Sequence, residues 1–440
     1  MAAATLPNGI HTLAIPLPHL ATANVAVFIR TGSAHEPRAL NGISHVVEHM
    51  VFKGTRERDC ARINLDAEAL GAEVNAHTDK DHTAFYMRGL GADAPAFVRM
   101  LADIVTQASF PEAELERERE VLLAEHTEVE EDPMSTAYGL FDRAGWGLHP
   151  AAQPVIGRRA NIERFSRDDL LGHVQRQFTG ANMVVAAAGG IDVELVLREM
   201  EAAFSGLPRG APNLVEAPAW SGGGVRARRL AGSSQTQLAL GFPLPARGGS
   251  DRGSELGKGS HGARNGAGSD TACELAAALF GEGMSSPLMA ELRERRGLVY
   301  HAACAADLFD FGGQFALEAA VAPEKLDEVL RELMRLLTAQ AERISAVDLE
   351  RARHQLVVRA ALAQERPSRR LEAAALDVFA LGRARSGEER LAQLHSVTGE
   401  QVRGVFETML KAGVAVGLAG ALGRGVAERA REGLGLLPPP

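Results

Sequence analysis

Along the first half of the chain the apolar positions change period several times, and each change marks an element. Residues 24–30 read as a strand, and residues 41–53 and 61–70 as two short helices. Glu73 to Thr78 and residues 83–88 flank Asp79-Lys80-Asp81, which reads as a hairpin. Phe97, Met100, Leu101, Ile104 and Val105 fall at i, i+3, i+4, i+7 and i+8, the stripe of a core-facing helix. Ser109-Phe110-Pro111-Glu112 has capping-box spacing with an early proline, and it opens a long helix running to about Asp132-Pro133.

The second half repeats this order. Residues 281–296 read as helical, and residues 300–306 and 313–319 as strands around a turn. Leu326, Val329, Leu330, Leu333 and Leu337 form the next helical stripe. Leu349-Glu350-Arg351-Ala352-Arg353 then echoes Leu115-Glu116-Arg117-Glu118-Arg119 at a constant shift of 234 residues. A repeat of that length implies two domains of one fold, not a solenoid. The expected domains are 1–210 and 220–440, joined where prolines and glycines cluster in 206–224. The expected class is α+β: two homologous domains, each a mostly antiparallel sheet with helices packed on one face. Residues 247–270 are rich in glycine and serine with almost no apolar side chains, so a disordered surface loop is expected there.

Composition narrows the function classes. The 440 residues are 46% hydrophobic and 23% charged, as in an ordinary globular protein. Lys and Arg number 47 against 56 Asp and Glu, a net charge of −9, which argues against a nucleic-acid partner. No apolar run approaches the roughly 18–20 residues of a membrane span. The N-terminus has no basic residue before Arg30, and Pro16, Pro18 and His19 break its apolar stretch, so no secretory signal is expected. Cys60, Cys273 and Cys304 are odd in number and far apart, which suits a reducing compartment. The expectation from these features together is a cytoplasmic protein that does not enter a membrane.

The candidate chemistry concentrates in His45-Val46-Val47-Glu48-His49. Positions i and i+4 share a helix face, so both imidazoles can meet one metal ion. Glu48 shares that face and can reach a metal-bound water without being a ligand. The order inverts His-Glu-x-x-His and keeps its mechanics. The competing reading is an amphipathic helix whose histidines are merely surface or satisfied core groups. Two histidines and an acid beside Val46, Val47, Met50, Val51 and Phe52 would be costly to bury without a metal. A catalytic zinc needs a third protein ligand. Glu118 and Glu125 lie two turns apart on the acidic helix with Val121 and Leu122 between them. In the second copy these acids become Ala352 and Arg359, while His45, Glu48 and His49 become Ser286, Met289 and Ala290. The repeat keeps the scaffold and carries none of the five groups. A solvated face suits Glu114, Glu116 and Glu128 better than it suits this pair.

With those residues in view, the sequence resembles the pitrilysin/insulinase family of zinc peptidases, the inverzincins, and in particular its half-length, processing-peptidase-like members. The family pattern is His-x-x-Glu-His followed after about 75 residues by Glu, the separation of His49 from Glu125. Phe52-Lys53-Gly54-Thr55, Asn75-Ala76-His77-Thr78, Gly283-Met284-Ser285-Ser286 and the run from Leu292 to Tyr300 also match. The resemblance implies one Zn2+ per chain held by His45, His49 and Glu125, with Glu48 as general base and Glu118 orienting a ligand. It implies that Asn75 and Ala76 lie on an edge strand that pairs with an extended peptide, with Phe52 nearby. Arg293 and Tyr300 match a pair that contacts substrate backbone and the developing oxyanion. On the residues alone, Arg293 is a solvated charge and Tyr300 a core aromatic. The cysteines match no ligand position, and His77 and His82 read as hairpin side chains.

Two departures concern the second half. Pro287 stands where many relatives have arginine, and the glycine-rich insert precedes that helix. Processing-type relatives carry acids a few turns beyond the third ligand to read basic residues; the nearby positions here include Ser135 and Gly139, so no preference for arginine is expected. The function implied is a zinc endopeptidase cleaving peptides or short unfolded segments inside a closed chamber. Its partner would be a second copy, or a homologous and possibly inactive subunit in a two-component peptidase that processes a precursor. A non-catalytic core-type subunit is the reading from another class, and the intact motif speaks against it.

Overall fold

The strand β3 (Thr22–Ile29) shows why this chain needs two layers of cover over one sheet. Val25, Val27 and Ile29 enter one core, while the alternate residues Ala26 and Phe28 enter another. Both faces are apolar, as period-two strands demand when neither side meets water.

The computed structural model describes residues 1–222, 224–249 and 269–436. The glycine-rich loop expected at 247–270 falls, from 250 to 268, outside the described residues. The chain forms two units. Unit 1 comprises Met1–Thr127, Gln153–Val215 and Ala363–Ala384; unit 2 comprises Glu128–Ala152, Glu216–Leu362 and Arg385–Pro440. The main break falls between Val215 and Glu216, and two further segments are exchanged across it.

Unit 1 is built on six strands: β1 (Ala2–Thr5), β2 (His11–Pro16), β3, β4 (Glu73–Thr78), β5 (Thr83–Leu90) and β6 (Met183–Gly189). Their order is β1-β2-β6-β3-β5-β4, with β2 and β6 parallel and the remaining pairs antiparallel. Unit 2 has five: β7 (Gly224–Arg229), β8 (Thr236–Leu244), β9 (Val299–Leu308), β10 (Gly313–Val321) and β11 (Ala415–Gly420), in the order β7-β11-β8-β10-β9. Without β1, the two sheets match position by position, including the single parallel pair β7–β11. The internal repeat is therefore a repeat of topology, and the two-domain α+β fold follows from it.

Most helices of unit 1 cover one face of its sheet, among them Ile43–Met50, Ala94–Thr106, Arg167–Gln177 and Val193–Phe204. The other face is closed by one helix from far along the chain, Pro367–Leu381. Its Leu371, Ala374, Ala375, Val378 and Phe379 repeat at helical spacing and pack on Leu13, Ile15, Ala26, Phe28 and Val184. In exchange, the helix Pro133–Gly145 covers the second face of the unit 2 sheet. There Ala137, Phe141 and Ala144 meet Ala239, Ala316, Ala415 and Ala419. This small-residue interface lets helix and sheet backbones approach closely. A Cβ at Gly417 would lie 2.0 Å from the Ala137 carbonyl oxygen and 2.5 Å from the Phe141 nitrogen. Among the described residues no helix is long and apolar enough to cross a membrane.

The contact at Gly417 generates a test. Gly417→Ala should push the helix off the sheet and cost roughly 1–3 kcal/mol, as overpacking does. That corresponds to a melting point lower by about 2–12 °C for a domain of this size. Gly404 sits inside the helix Gly399–Ala412, where a Cβ would meet nothing within 4 Å. Gly404→Ala should leave stability unchanged or raise it by up to about 1 kcal/mol. Thermal unfolding followed by circular dichroism checks both signs.

Candidate metal centre

The helix Ile43–Met50 begins at Gly42, whose φ of 102° suits glycine and which offers no capping side chain. The cap comes from elsewhere. Glu36, only 2% exposed, accepts from the Gly42 N–H at 2.7 Å, the Asn41 side-chain amide at 3.0 Å and the Ser44 N–H at 2.8 Å. Two free N–H donors of a buried helix N-terminus, those of Gly42 and Ser44, are thus satisfied by a carboxylate at the positive end of its dipole. Burial pushes the Glu36 carboxyl pKa upward, and those donors oppose the shift. A Cβ at Gly42 would fall 2.7 Å from the Gly157 Cα, so glycine also lets that loop lie against the helix start.

Ile43, Val46, Val47 and Met50 turn into the core. His45, Glu48 and His49 are left to face the helix Glu112–Glu131 and strand β4. His45 Nε2 lies 3.6 Å from Glu125 Oε1, and His49 Nε2 lies 3.6 Å from Glu125 Oε2. One donor atom from each of the three residues lies within 4.8 Å of the others. The imidazoles meet edge to face with ring centroids 4.7 Å apart. Burial, aided by the charge of His49, holds His45 down at a pKa of about 4, so its ring is neutral and its lone pair free to bind. Its Nδ1 is buried without a hydrogen-bond partner, and Nε2 is the nitrogen turned toward Glu125.

This donor set fits zinc. Tetrahedral coordination with bonds of about 2.0–2.1 Å has edges of about 3.4 Å, close to the two 3.6 Å separations. Two imidazoles and a carboxylate are also ligands zinc accepts. Behind them, His49 Nδ1 lies 2.9 Å from Glu118 Oε1, and Lys53 Nζ lies 2.6 Å from Glu118 Oε2. Burial works against the charge of Glu118, but the bonds from Lys53 and His49 prevail and hold its pKa below the usual carboxylate range. Glu118 is therefore a fixed anion behind a ring, the arrangement that sets a ligand's tautomer and orientation. On the same helix Leu122 is buried with Glu118, whereas Val121, between the two acids in sequence, is 52% exposed.

Glu48 lies on the same face and accepts from the Thr78 hydroxyl at 2.6 Å. Burial raises its pKa, and the Thr78 bond and His49 pull the other way. Thr78 ends β4, which pairs with β5 and lies at the sheet edge. Asn75 is exposed there, its side-chain oxygen accepting from the Ala76 N–H at 2.8 Å, and Ala76 is half-buried. Phe52 follows the metal helix in a short turn, half-buried and tilted against Phe85.

Arg293 and Tyr300 belong to unit 2. Arg293 lies in a π-helical turn, Ala290–Arg295, a distortion frequent at functional sites. Its guanidinium sits 5.1 Å from the centroid of the Tyr300 ring. Tyr300 is 79% exposed, which corrects its reading as a core aromatic. Pro287 opens the short helical turn before it, capped by Ser286.

Three partners escaped the sequence reading. Lys53 is four residues past His49, one helical turn, and that spacing was a usable signal. Thr78 is two residues past Ala76 on one strand face, again a readable period. Glu36 lies in a connection before the helix and has no periodic relation to it, so nothing along the chain marks it.

Comparisons with known proteins give the family. The profile described as "Insulinase (Peptidase family M16)" matches residues 13–159, and that described as "Peptidase M16 inactive domain" matches residues 164–356. A protein of Mycobacterium tuberculosis named as an uncharacterized zinc protease is 32% identical over 413 residues, 92% of this chain and 90% of its own. The mitochondrial-processing peptidase subunit beta of Lentinula edodes is 33% identical over 204 residues, 46% of this chain and 44% of that one. The crystal structure of a protease from Helicobacter pylori shares the fold, with a TM-score of 0.83 at 20% identity over 95% of this chain and 98% of that one. The chain belongs to the insulinase family of zinc peptidases, peptidase family M16.

Proposed function

We propose that this chain is a zinc metalloendopeptidase acting on peptides or short unfolded segments. The observation that carries the reading is the convergence of His45, His49 and Glu125, with Glu118 fixed behind His49 and Glu48 held beside the edge strand. His45, His49 and Glu125 are the proposed zinc ligands. Zinc, when bound, supplies Lewis acidity that polarises a carbonyl and makes water more acidic. Glu48 is the proposed general base: burial raises its proton affinity, and Thr78 aims the carboxylate.

Substrate is proposed to enter as an extended strand along β4, at Asn75 and Ala76, with Phe52 bordering the site. Edge pairing reads backbone rather than side chains, which suits a peptidase of broad sequence tolerance. Arg293 and Tyr300 are proposed to donate to substrate backbone and to the oxyanion that develops at the scissile carbonyl. The relative named as a subunit of the mitochondrial-processing peptidase supports an assembly of two chains around a closed chamber. The second chain is another copy or a homologue without the metal ligands. A homologue whose sole task is to complete the chamber would make this chain the catalytic half of a two-component processing peptidase.

The roles separate by mutation. His49→Ala and Glu125→Gln should each lose a zinc equivalent together with activity, since removing one of three ligands costs several kcal/mol of metal affinity. Glu48→Gln should keep wild-type zinc content and lose at least ~100-fold in kcat/KM. Glu118→Gln should weaken zinc affinity by roughly 10–100-fold. Metal analysis beside a fluorogenic peptide assay checks all four, and an active Glu48→Gln at full zinc occupancy would remove Glu48 from the base role.

Assembly is tested by complementation. A His45→Ala chain and an Arg293→Ala/Tyr300→Phe chain should each be nearly inactive. Mixed and allowed to exchange, they should recover about a quarter of wild-type activity by random pairing of two protomers. No recovery despite demonstrated exchange would place the pair in cis, and a wild-type chain active only after addition of a homologue would identify the two-component form.

A further inference from the structure

Strand β4 has two faces. Val74, Ala76 and Thr78 turn toward the core and helix that hold Glu48, whereas Glu73 and His77 line a cleft against the helix Pro367–Leu381. On that far side stands a second convergence of ligand-type side chains. His77 Nε2 and His82 Nε2 lie 3.3 Å apart, with their rings perpendicular. One donor atom each from His77, His82 and Glu372 lies within 4.8 Å of the others.

Three features make this more than a chance meeting. First, His82 is 3% exposed, and its Nδ1 lies 2.7 Å from Asp81 Oδ1. That carboxylate accepts the Nδ1–H hydrogen bond, which keeps the proton on Nδ1 and leaves the Nε2 lone pair directed at His77, as in carboxylate–histidine–metal arrangements. Second, the 3.3 Å between the two Nε2 atoms is the edge length of a tetrahedron with metal–nitrogen bonds near 2.0–2.1 Å. Third, Arg369 Nη1, one turn earlier on the same helix, donates to Glu372 Oε2 at 3.1 Å, so the third group is an oriented carboxylate. The cleft, about 410 Å³, is lined by His77, Tyr86, Ser368 and Glu372 and gives an ion its way in. Nothing in the proposed peptidase chemistry uses these residues.

We propose that His77, His82 and Glu372, with Asp81 orienting His82, form a second zinc site that ties the β4–β5 hairpin to the helix Pro367–Leu381. The site is structural. It joins segments from opposite halves of the sequence and adds a coordinate link to a helix that apolar contacts, and Arg30 donating to the Phe379 carbonyl, hold on the sheet. It also fixes the strand that carries Asn75 and Ala76 from the face opposite the peptidase centre.

The test uses the full chain stripped of metal and titrated with zinc, then with Co2+ as a spectroscopic probe. Wild type should bind two equivalents, and His45→Ala/His49→Ala should keep one. Adding Glu372→Gln and His77→Phe to that double variant should abolish the remaining high-affinity binding. Glu372 and His77 are only partly buried, so these changes spare the core, and circular dichroism verifies folding. In His45→Ala/His49→Ala, Co2+ should give the visible bands of a four-coordinate site. Zinc should slow amide exchange in residues 367–381 of the same variant. Zinc binding by wild type that is unchanged in His77→Phe/Glu372→Gln would overturn the second site, leaving His77 and His82 as a hydrogen-bonded pair. Loss of all zinc in His45→Ala/His49→Ala would overturn it as well. Failure of the first site has a different signature: His45→Ala/His49→Ala would bind as much zinc as wild type.

Discussion

A carboxylate that touches no proposed ligand governs the geometry of unit 1. Glu36 bonds three donors at the start of the helix Ile43–Met50 while almost wholly buried. Fixing the first turn fixes the phase of the helix. At 100° per residue, that phase decides whether His45 and His49 meet Glu125 or point into the core. Gly42 and Gly157 complete the constraint, because a side chain at either would drive the adjoining backbones apart. The opposite end of the helix runs into the turn that carries Lys53, whose ammonium holds Glu118, which in turn holds His49. The imidazoles are thus set from both ends of a helix only eight residues long.

The two copies of the fold show that this machinery is separable from the scaffold. Both sheets share strand order and the position of their one parallel pair. At the position matching Glu118 the second copy has Ala352, fully buried in an apolar core, and at that matching Glu125 it has Arg359, paired with Glu282. Ser286, which matches His45, caps a short helical turn and, among the described residues, joins no histidine–carboxylate cluster. The apolar positions that specify the sheet and its helical cover are kept while the polar ones diverge. That is expected when packing energy resides in the former and chemistry in the latter.

That separation also explains what could be read along the chain. Periodicity gave the β4–β5 hairpin and the helix holding Phe97 to Val105, because each buries one face, and the capping-box spacing at Ser109 gave the long acidic helix. It could not give the exchange of the Pro133–Gly145 and Pro367–Leu381 helices between units, since a stripe such as Leu371, Ala374, Ala375, Val378 says only that a face is covered. The helix Ser269–Gly281 was hidden by the glycine-rich stretch before it. Tyr300 was misread on its residues alone because an aromatic at a strand start usually packs inward, and only the Arg293 ring contact gives it a reason to stay exposed. Among the acids of the long helix, equal in composition, the sequence repeat separated Glu118 and Glu125 from their neighbours. Structure adds that Glu118 is buried and that Glu116 and Glu128 are exposed.

Strand β4 brings these threads to one element. Its register against β5 pairs Glu73 with Arg88, Ala76 with Phe85 and Thr78 with Thr83. In that register Thr78 meets Glu48, and His77, one residue earlier, lies on the other face beside His82. A slip of one residue would exchange the faces, bringing an imidazole to Glu48 and a hydroxyl to the far cluster. The register is held by Phe85 in the core and by the Thr83 hydroxyl, which donates to the Thr31 carbonyl at 2.8 Å. An edge strand has a neighbour on one side only, so contacts above and below it must supply the constraint that a second strand would give. Thr78 with Glu48 does so on one face, and His77 with His82 on the other. A strand pinned on both faces keeps its free edge in one position, the condition that the proposed pairing with an incoming peptide requires.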